Sequence, residues 1–175
     1  MNMIALNETL KNLTLPQRLA AIVKMVDGPL VFTTSLGIED QLITHHIAMQ
    51  NLAIQLVTLD TGRLFPQTYD VWQATEEKYG RRIQAMFPQA AATEALVADQ
   101  GINGFYYAIE MRKACCHVRK VEPLERALAG QRACAWARRR AVCATPEWAQ
   151  RSTSFRSCAR SSAERGRAAG PALKL

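Results

Sequence analysis

Two short apolar stretches separated by a helical pattern constrain the fold of this chain more than any other feature. Pro29–Thr34 (PLVFTT) and Ile54–Leu59 (IQLVTL) are rich in β-branched residues and uncharged, which is typical of strands buried on both faces. Between them, Ile38–Met49 (IEDQLITHHIAM) has the apolar spacing of a helix. A strand, a crossover helix and a second strand predict two parallel strands in one sheet.

The rest of the N-terminal part of the chain continues this alternation. A helix is predicted over Leu15–Val26 with Thr14 as its cap, and another runs from Pro66 to Tyr79. Arg82–Phe87 is a third predicted strand. Further helices are predicted over Ala91–Gln100, near Cys115 and Cys116, and from Pro123 to Gly130. The pattern indicates an α/β fold with a doubly wound parallel sheet, in which ligands bind at the carboxyl ends of the strands.

Composition indicates a globular protein of one domain rather than a membrane or secreted protein. The chain has 175 residues, of which 49% are hydrophobic, and no segment approaches the about 20 apolar residues of a membrane span. Its first residues, MNMIALNETLKNL, lack a basic stretch followed by an apolar run. Five cysteines, two of them adjacent, do not resemble a secreted disulfide framework. We therefore expect a cytoplasmic protein.

Basic charge is concentrated in a C-terminal tail. Residues 1–130 contain 12 Lys and Arg against 13 Asp and Glu, whereas residues 131–175 contain 10 against 2. The tail is rich in Ala, Arg and Ser and has no apolar period, so we predict a domain over 1–132 and an unpacked or disordered tail over 133–175. One interpretation is a segment that binds nucleic acid. The favoured one is a GC-rich coding sequence translated out of frame.

The motif TTSLGIED stands where the first strand becomes a helix. Ser35 supplies a hydroxyl group, Gly37 allows a ligand close to the backbone, and the helix start offers free N–H groups to an anion. These features suit a phosphate or sulfate cradle. The alternative is a capped helix start, in which Ser35 is the cap and Glu39 and Asp40 complement the helix dipole. Spacing alone favours this alternative.

The motif LDTGRLFP stands at the matching end of the second strand. Asp60 and Thr61 can bind a sugar or a base, Gly62 permits a turn, and Arg63 adds a cation at the rim. Two polar turns at the ends of neighbouring strands indicate a ligand pocket more strongly than either turn alone.

The segment KACCHVRKVEPL carries the adjacent cysteines, Cys115 and Cys116. A disulfide between neighbouring residues is strained, so metal ligation is the favoured interpretation, and the cationic neighbours stabilise thiolates. His45 and His46 have no ligand partners at a suitable spacing, and we assign them no chemistry. Cys134, Cys143 and Cys158 lack CxxC spacing and are interpreted as incidental.

Together, SLGIED, LDTGRLFP and CCHVRKVEPL resemble the assimilatory sulfonucleotide reductases, which reduce adenylyl sulfate or phosphoadenylyl sulfate, over about Leu15–Arg132. The resemblance implies an adenine-nucleotide α-hydrolase-like domain, thioredoxin as the reductant, and a C-terminal cysteine that attacks the sulfur. It also implies that Cys115 and Cys116 are half of a [4Fe–4S] site, which favours adenylyl sulfate, and that Lys120 faces the sulfate or the cluster as a catalytic residue. The implied nucleotide pocket is lined by residues of both turns: Ser35, Leu36, Gly37, Leu59, Asp60, Thr61, Gly62 and Arg63.

The tail departs from the family pattern. The GLRR-type loop, the CxxC that completes the cluster and the ECGLH-type segment with the nucleophile are not found in this sequence. We therefore expect that a cluster does not assemble and that this copy is inactive. The alternatives are a non-catalytic adenine-nucleotide-binding module and, less favoured, a nucleic-acid binder. An ATP pyrophosphatase is disfavoured because TSLGIED lacks the lysine of an SGGKDS-type loop.

Overall fold

A mixed sheet forms the centre of the part of the chain that the structure describes. The computed structural model describes residues 10–131, 133–136 and 141–144. The strands are β1 (Leu30–Thr34), β2 (Ile54–Leu59), β3 (Gln84–Met86), β4 (Ala133–Trp136) and β5 (Ala141–Ala144). Their order in the sheet is β3-β2-β1-β4-β5. The first four strands are parallel, and β5 pairs with β4 in the antiparallel direction.

The register of β1 and β2 brings their carboxyl ends to the same level. Leu30 pairs with Ile54, and the pairing continues in step to Thr34 and Thr58. The turns that follow the two strands therefore leave the sheet side by side at one edge. This edge is the carboxyl edge of the sheet.

Helices connect the strands and pack on the sheet. They are α1 (Leu15–Met25), α2 (Ile38–Met49), α3 (Pro66–Tyr79), α4 (Ala90–Gln100), α5 (Ile109–Cys116) and α6 (Glu122–Leu128). A short 3₁₀ turn, Gly104–Tyr106, precedes α5, and a π-helical turn, His117–Val121, joins α5 to α6. Among the described residues, no helix is both long enough and apolar enough to cross a bilayer.

Both faces of β1 are buried, as its apolar sequence predicts. Phe32 lies in a large cluster with residues of α1 and α2, including Leu19 and Ile47. Val31, on the opposite face, lies in a second cluster with Val57, against which α6 packs through Leu128. Helices on both faces of a largely parallel sheet confirm the predicted α/β doubly wound class.

Local sequence signals set most of the helix ends. The Gln17 side chain accepts a hydrogen bond from the Thr14 N–H at 2.9 Å, so the predicted cap of α1 is present. Helix α3 ends at Gly80, which has φ 60°, a left-handed conformation that favours glycine. These elements are where the periodicity predicts them, to within about two residues.

The strands β4 and β5 lie after residue 132, in the segment for which the sequence predicts no packed element. Both lie in the basic tail, where the composition has no apolar period. β4 pairs with β1 from Leu30 to Thr33, on the side of β1 that β2 leaves open. Backbone groups of a buried strand need partners on both sides, so pairing is possible without a sequence pattern. The rest of the tail lies outside the described residues, and the domain boundary remains a prediction.

Candidate functional site

The turn after β1 is closed by a buried carboxylate. Asp40, in the first turn of α2, is 5% exposed, and its Oδ2 atom accepts hydrogen bonds from the Ser35 N–H at 2.5 Å and from the Ser35 hydroxyl at 2.6 Å. Leu36 has φ 63°, and its N–H donates to Thr34 Oγ1 at 2.9 Å. A leucine in this conformation is strained, and such strain occurs mainly at functional turns.

The start of α2 differs from the capped-helix interpretation of this motif. Gly37 is the N-cap of α2, and the N–H groups in the first turn of this helix have no intrahelical acceptors. Asp40 accepts both hydrogen bonds that Ser35 donates, so the Ser35 side chain does not cap the helix as the alternative interpretation expected, whereas Asp40 lies in the first turn, where it complements the dipole. The remaining N–H groups of the helix start are still available to an anion. The hydroxyl of Ser35 would have to turn away from Asp40 to bind a ligand directly.

The turn after β2 is built around a second buried carboxylate. Asp60 accepts hydrogen bonds from the Gly62 N–H at 2.8 Å and from the Tyr69 hydroxyl at 2.9 Å. Gly62 has φ 70°, so a residue with a side chain would be strained there. The Thr61 side chain is buried, and its Oγ1 accepts a bond from the Arg63 N–H at 3.3 Å. The side chain of Asp60 therefore shapes the turn from within.

The hydrogen bond to Asp60 also affects Tyr69. It raises the pKa of the Tyr69 hydroxyl above its ordinary value, with smaller contributions from burial and from the negative charge of Asp60. The shift means that the folded protein favours the neutral phenol, which is the form that can donate to the carboxylate. Tyr69 was not identified from the sequence as part of the site.

Arg63 connects the turn to the segment before α5. Its guanidinium donates to the Ile102 carbonyl at 3.0 Å and to Asn103 Oδ1 at 2.8 Å, and it lies 5.0 Å from the centre of the Phe105 ring. The predicted rim cation thus has contacts within the protein. Leu59, another predicted pocket residue, is half-buried and packs its side chain against the cluster around Val31.

The adjacent cysteines lie at the end of α5. Cys115 and Cys116 are half-buried, and neither is in a disulfide. Within residues 10–131 and the two described strands, no group of three or more His, Cys, Asp and Glu side chains could hold a metal ion. A [4Fe–4S] cluster takes four thiolates, so the described residues do not complete a cluster site. Lys120 is exposed.

A π-helical turn follows the cysteines, and Pro123 gives a reason for it. Proline has no N–H group, and its ring collides with the carbonyl group four residues earlier, which is that of Arg119. The Glu122 N–H instead bonds to the carbonyl of His117, five residues back. π-helical turns are often found at functional sites.

Arg119 is the residue of this turn that the sequence analysis did not identify. Its side chain is 8% exposed, and its Nη1 atom donates to the Thr61 carbonyl at 2.6 Å. A Cβ atom added to Gly62 would lie 3.3 Å from the same Nη1. The position of Arg119 four residues after Cys115, on one helical face, was the available signal. Arg119 brings the cysteine segment against the turn after β2.

Other candidate groups have ordinary structural partners. His45 bonds through Nδ1 to the Tyr79 hydroxyl at 3.1 Å, which agrees with the absence of an assigned role. A surface cleft lies away from the carboxyl edge, near the end of α3 and the start of β3, and it is lined by Gln73, Glu76, Glu77, Gly80, Arg81 and Arg82. The carboxylate of Glu76 in this cleft accepts hydrogen bonds from the Ile83 N–H and from Arg82. We therefore assign the cleft no chemistry.

Comparison with known proteins identifies relatives of the chain. Residues 29–141 match the family described as the phosphoadenosine phosphosulfate reductase domain. An adenosine 5'-phosphosulfate reductase of Sinorhizobium fredii (strain USDA 257) is 52% identical over 126 residues, covering 72% of this chain and 50% of the relative. The protein of the same name from Agrobacterium fabrum is 48% identical over 126 residues, covering 72% and 48%.

A solved structure has the same fold. A phosphoadenylyl-sulfate (PAPS) reductase from Candida auris, crystallised as a phosphate complex, matches with a TM-score of 0.69 over 89% of this chain and 85% of that one. The two sequences are 21% identical, so the likeness concerns the fold.

The largely parallel sheet, with two polar turns at its carboxyl edge, defines an α/β domain of the nucleotide-binding class. Within that class, the chain belongs to the phosphoadenosine phosphosulfate reductase domain family, a family of sulfonucleotide reductases. The resemblance seen in the sequence is confirmed. The chain spans about half the length of the curated relatives that it matches.

Proposed function

We propose that this chain binds adenylyl sulfate as the nucleotide domain of a sulfonucleotide reductase. The observation that carries the proposal is the convergence of three segments: the turns after β1 and β2 lie at one edge of the sheet, and Arg119 connects the second turn to the cysteine helix. The names of the relatives support adenylyl sulfate over phosphoadenylyl sulfate.

Each turn has a separate task in this proposal. Ser35, Leu36 and Gly37, with the N–H groups at the start of α2, bind the anionic phosphosulfate group. Thr61 and Gly62 bind the nucleoside through backbone and hydroxyl groups, together with the backbone of Leu59. Asp60 shapes the second turn through the hydrogen bonds that it accepts from Gly62 and Tyr69. Arg63 stabilises the rim, and exposed Lys120 faces the sulfate group.

The proposed reaction transfers the sulfo group to a cysteine. A thiolate attacks the sulfur of adenylyl sulfate, an S–S bond forms, and AMP leaves with the electron pair of the broken S–O bond. A thiolate of reduced thioredoxin then attacks the cysteine sulfur and releases sulfite. The second thioredoxin thiol resolves the mixed disulfide, so the dithiol is oxidised as sulfur is reduced by two electrons. A cytoplasmic location agrees with this reductant.

We further propose that the 175-residue chain does not complete this reaction by itself. Its tail cysteines do not stand in the ECGLH-type context, and Cys115 and Cys116 would be bound to metal in the family arrangement. Cys115 and Cys116 would supply two of the four thiolates that a [4Fe–4S] cluster requires.

Titration calorimetry with AMP and with adenylyl sulfate tests the binding proposal. We expect weak binding by the unaltered chain and weaker binding by Ser35→Ala and Thr61→Ala. Thr75→Ala is the matched control, because Thr75 is as buried as Thr61 but bonds to Gln41 and Val71. No heat at millimolar nucleotide, or an equal loss in the control, would contradict the proposed pocket.

A further inference from the structure

Arg119 is a buried arginine without an acidic partner in the described part of the chain. It is 8% exposed, and no Asp or Glu carboxylate among the described residues lies within 4.0 Å of its guanidinium. Its hydrogen bond goes to a neutral acceptor, the carbonyl oxygen of Thr61. Buried cations are normally paired, because removing a charge from water is costly. The burial of Arg119 therefore needs a functional reason.

The remaining guanidinium donors are not sealed inside the protein. The described polar atoms that are fully enclosed without a partner are Thr44 Oγ1, Gln100 Oε1 and Gln131 Oε1, and no nitrogen of Arg119 is among them. One edge of the guanidinium therefore bonds to the turn, and the other edge retains contact with solvent. This arrangement fixes the turn while the charge stays partly hydrated.

The hydrogen bond from Arg119 acts on the part of the turn that its own residues restrain least. Gly62 has φ 70°, a region in which glycine is flexible, and Nη1 of Arg119 lies 3.3 Å from the position of a Gly62 Cβ atom. The Asp60 carboxylate holds the Gly62 N–H from one side, and Arg119 holds the Thr61 carbonyl from the other. Together they determine the orientation of the peptide group between Thr61 and Gly62.

We propose that Arg119 is a positioning residue, which holds the Thr61–Gly62 turn in the conformation that binds the adenine nucleotide. The inference rests on the proposed nucleotide-binding function. In this role Arg119 affects nucleotide binding by holding the turn, and it does not contact the anionic groups of the ligand.

Arginine substitutions test this role by calorimetry with AMP. Arg119→Met keeps most of the side-chain volume and removes the donors, and we expect about tenfold weaker binding, which corresponds to about 1.4 kcal/mol. Arg119→Lys keeps one donor and should restore part of the affinity. Arg81→Met is the matched control, because half-buried Arg81 also donates to backbone carbonyls, those of Leu52 and Ile54, but at the opposite edge of the sheet. It should lower the melting temperature and leave the affinity for AMP unchanged.

The salt dependence of binding separates positioning from direct contact. A positioning role predicts that Arg119→Met weakens AMP binding by the same factor at every salt concentration. Convergence of the two proteins at high salt would indicate an ionic contact with the phosphate and would overturn the proposal. Unchanged affinity in Arg119→Met would also overturn it while leaving the proposed function intact. Absence of AMP binding by the unaltered chain would instead overturn the proposed function, and this inference with it.

A measurement on the unaltered protein covers the case in which both Arg119 variants fail to fold. The Nε–H resonance of Arg119 can be followed by NMR in arginine-labelled protein. We expect it to shift when AMP is added, since the turn that it holds would contact the nucleotide. A resonance that does not move at saturating AMP would overturn the proposal.

Discussion

The carboxylate of Asp40 accepts both hydrogen bonds that Ser35 donates, at 2.5 Å from the backbone N–H and 2.6 Å from the hydroxyl. The two residues are five positions apart, and the contact closes the turn between β1 and α2. It places a buried negative charge at the start of a helix, where the dipole favours it. The negative charge of Asp40 therefore offsets part of the positive end of the α2 dipole beside the candidate anion site.

The Ser35 and Asp40 contact predicts a measurable coupling energy. Ser35→Ala loses one bond to a charged acceptor and should reduce the free energy of unfolding by about 1–2 kcal/mol. Asp40→Ala leaves two donors of Ser35 without their acceptor and should cost more. A double-mutant cycle from denaturant unfolding should give a coupling of about 1 kcal/mol. Strictly additive effects would show that the two side chains act independently.

Tyr69→Phe should loosen the turn after β2. The substitution removes the hydrogen bond to Asp60 and should weaken AMP binding and lower the melting temperature. Because the pKa of Tyr69 is raised on folding, its contribution to stability is present below the ordinary pKa of tyrosine, about 10, and is lost as pH rises through the folded-state pKa. The difference in melting temperature should thus be constant from neutral pH to about pH 10. Tyr107→Phe, at an exposed tyrosine, is the control.

Glu76→Gln should reduce stability at neutral pH but not in acid. Burial alone raises the pKa of Glu76, but hydrogen bonds from the Ile83 N–H, Arg82 and Trp72 together lower it below the ordinary value. A lowered pKa gives stability that is present above the unfolded-state pKa, about 4.3, and is lost as pH falls through the folded-state pKa. We expect a loss of about 1–2 kcal/mol at pH 7 that shrinks with acidification.

The acid titration has two matched controls. Glu77→Gln changes the neighbouring carboxylate, which bonds to Gln73, and should have a small effect at every pH. Arg82→Ala should cost less than about 1 kcal/mol, because Arg82 is 93% exposed and surface ion pairs are weak. An undiminished effect of Glu76→Gln at pH 3 would contradict the assigned cause.

Anaerobic reconstitution with iron and sulfide should give little charge-transfer absorbance in the visible range. The family positions supply Cys115 and Cys116, and two thiolates leave the iron without a complete ligand set. Cys115→Ser should remove any residual signal. A stoichiometric cluster that is lost in Cys134→Ser or Cys158→Ser would show that the tail provides ligands, contrary to our interpretation of those cysteines as incidental.

The unaltered chain should release no sulfite from adenylyl sulfate in the presence of reduced thioredoxin. The reaction needs a mobile thiolate that reaches the bound sulfo group and is then reached by thioredoxin, and the tail cysteines lack the family context. A version in which the coding frame after Arg132 is restored to GLRR-, CxxC- and ECGLH-type text should recover release. Sulfite production by the 175-residue chain, abolished in Cys158→Ser, would disprove the out-of-frame interpretation.

The elements of this chain that follow a regular apolar pattern could be predicted from the sequence. β1 and β2 are apolar and β-branched because both faces are buried, and α3 shows its start at Pro66 and its stop at Gly80. β4 was not predicted, since its segment has no apolar period; it pairs with the side of β1 that β2 leaves open. The π-helical turn was also missed, although Pro123 provides a cause for it.

The same division applies to the candidate site. The sequence by itself determined the two polar turns and the family, because the glycines, carboxylates and cysteines of those motifs are contiguous in the chain. Only the tertiary structure decided which of these groups form hydrogen bonds with one another. The Tyr69 hydroxyl donates to Asp60, and Arg119 donates to the Thr61 carbonyl, 58 residues away in the sequence. Such contacts depend on how helices pack against the sheet, and a linear sequence does not encode that geometry in any local pattern.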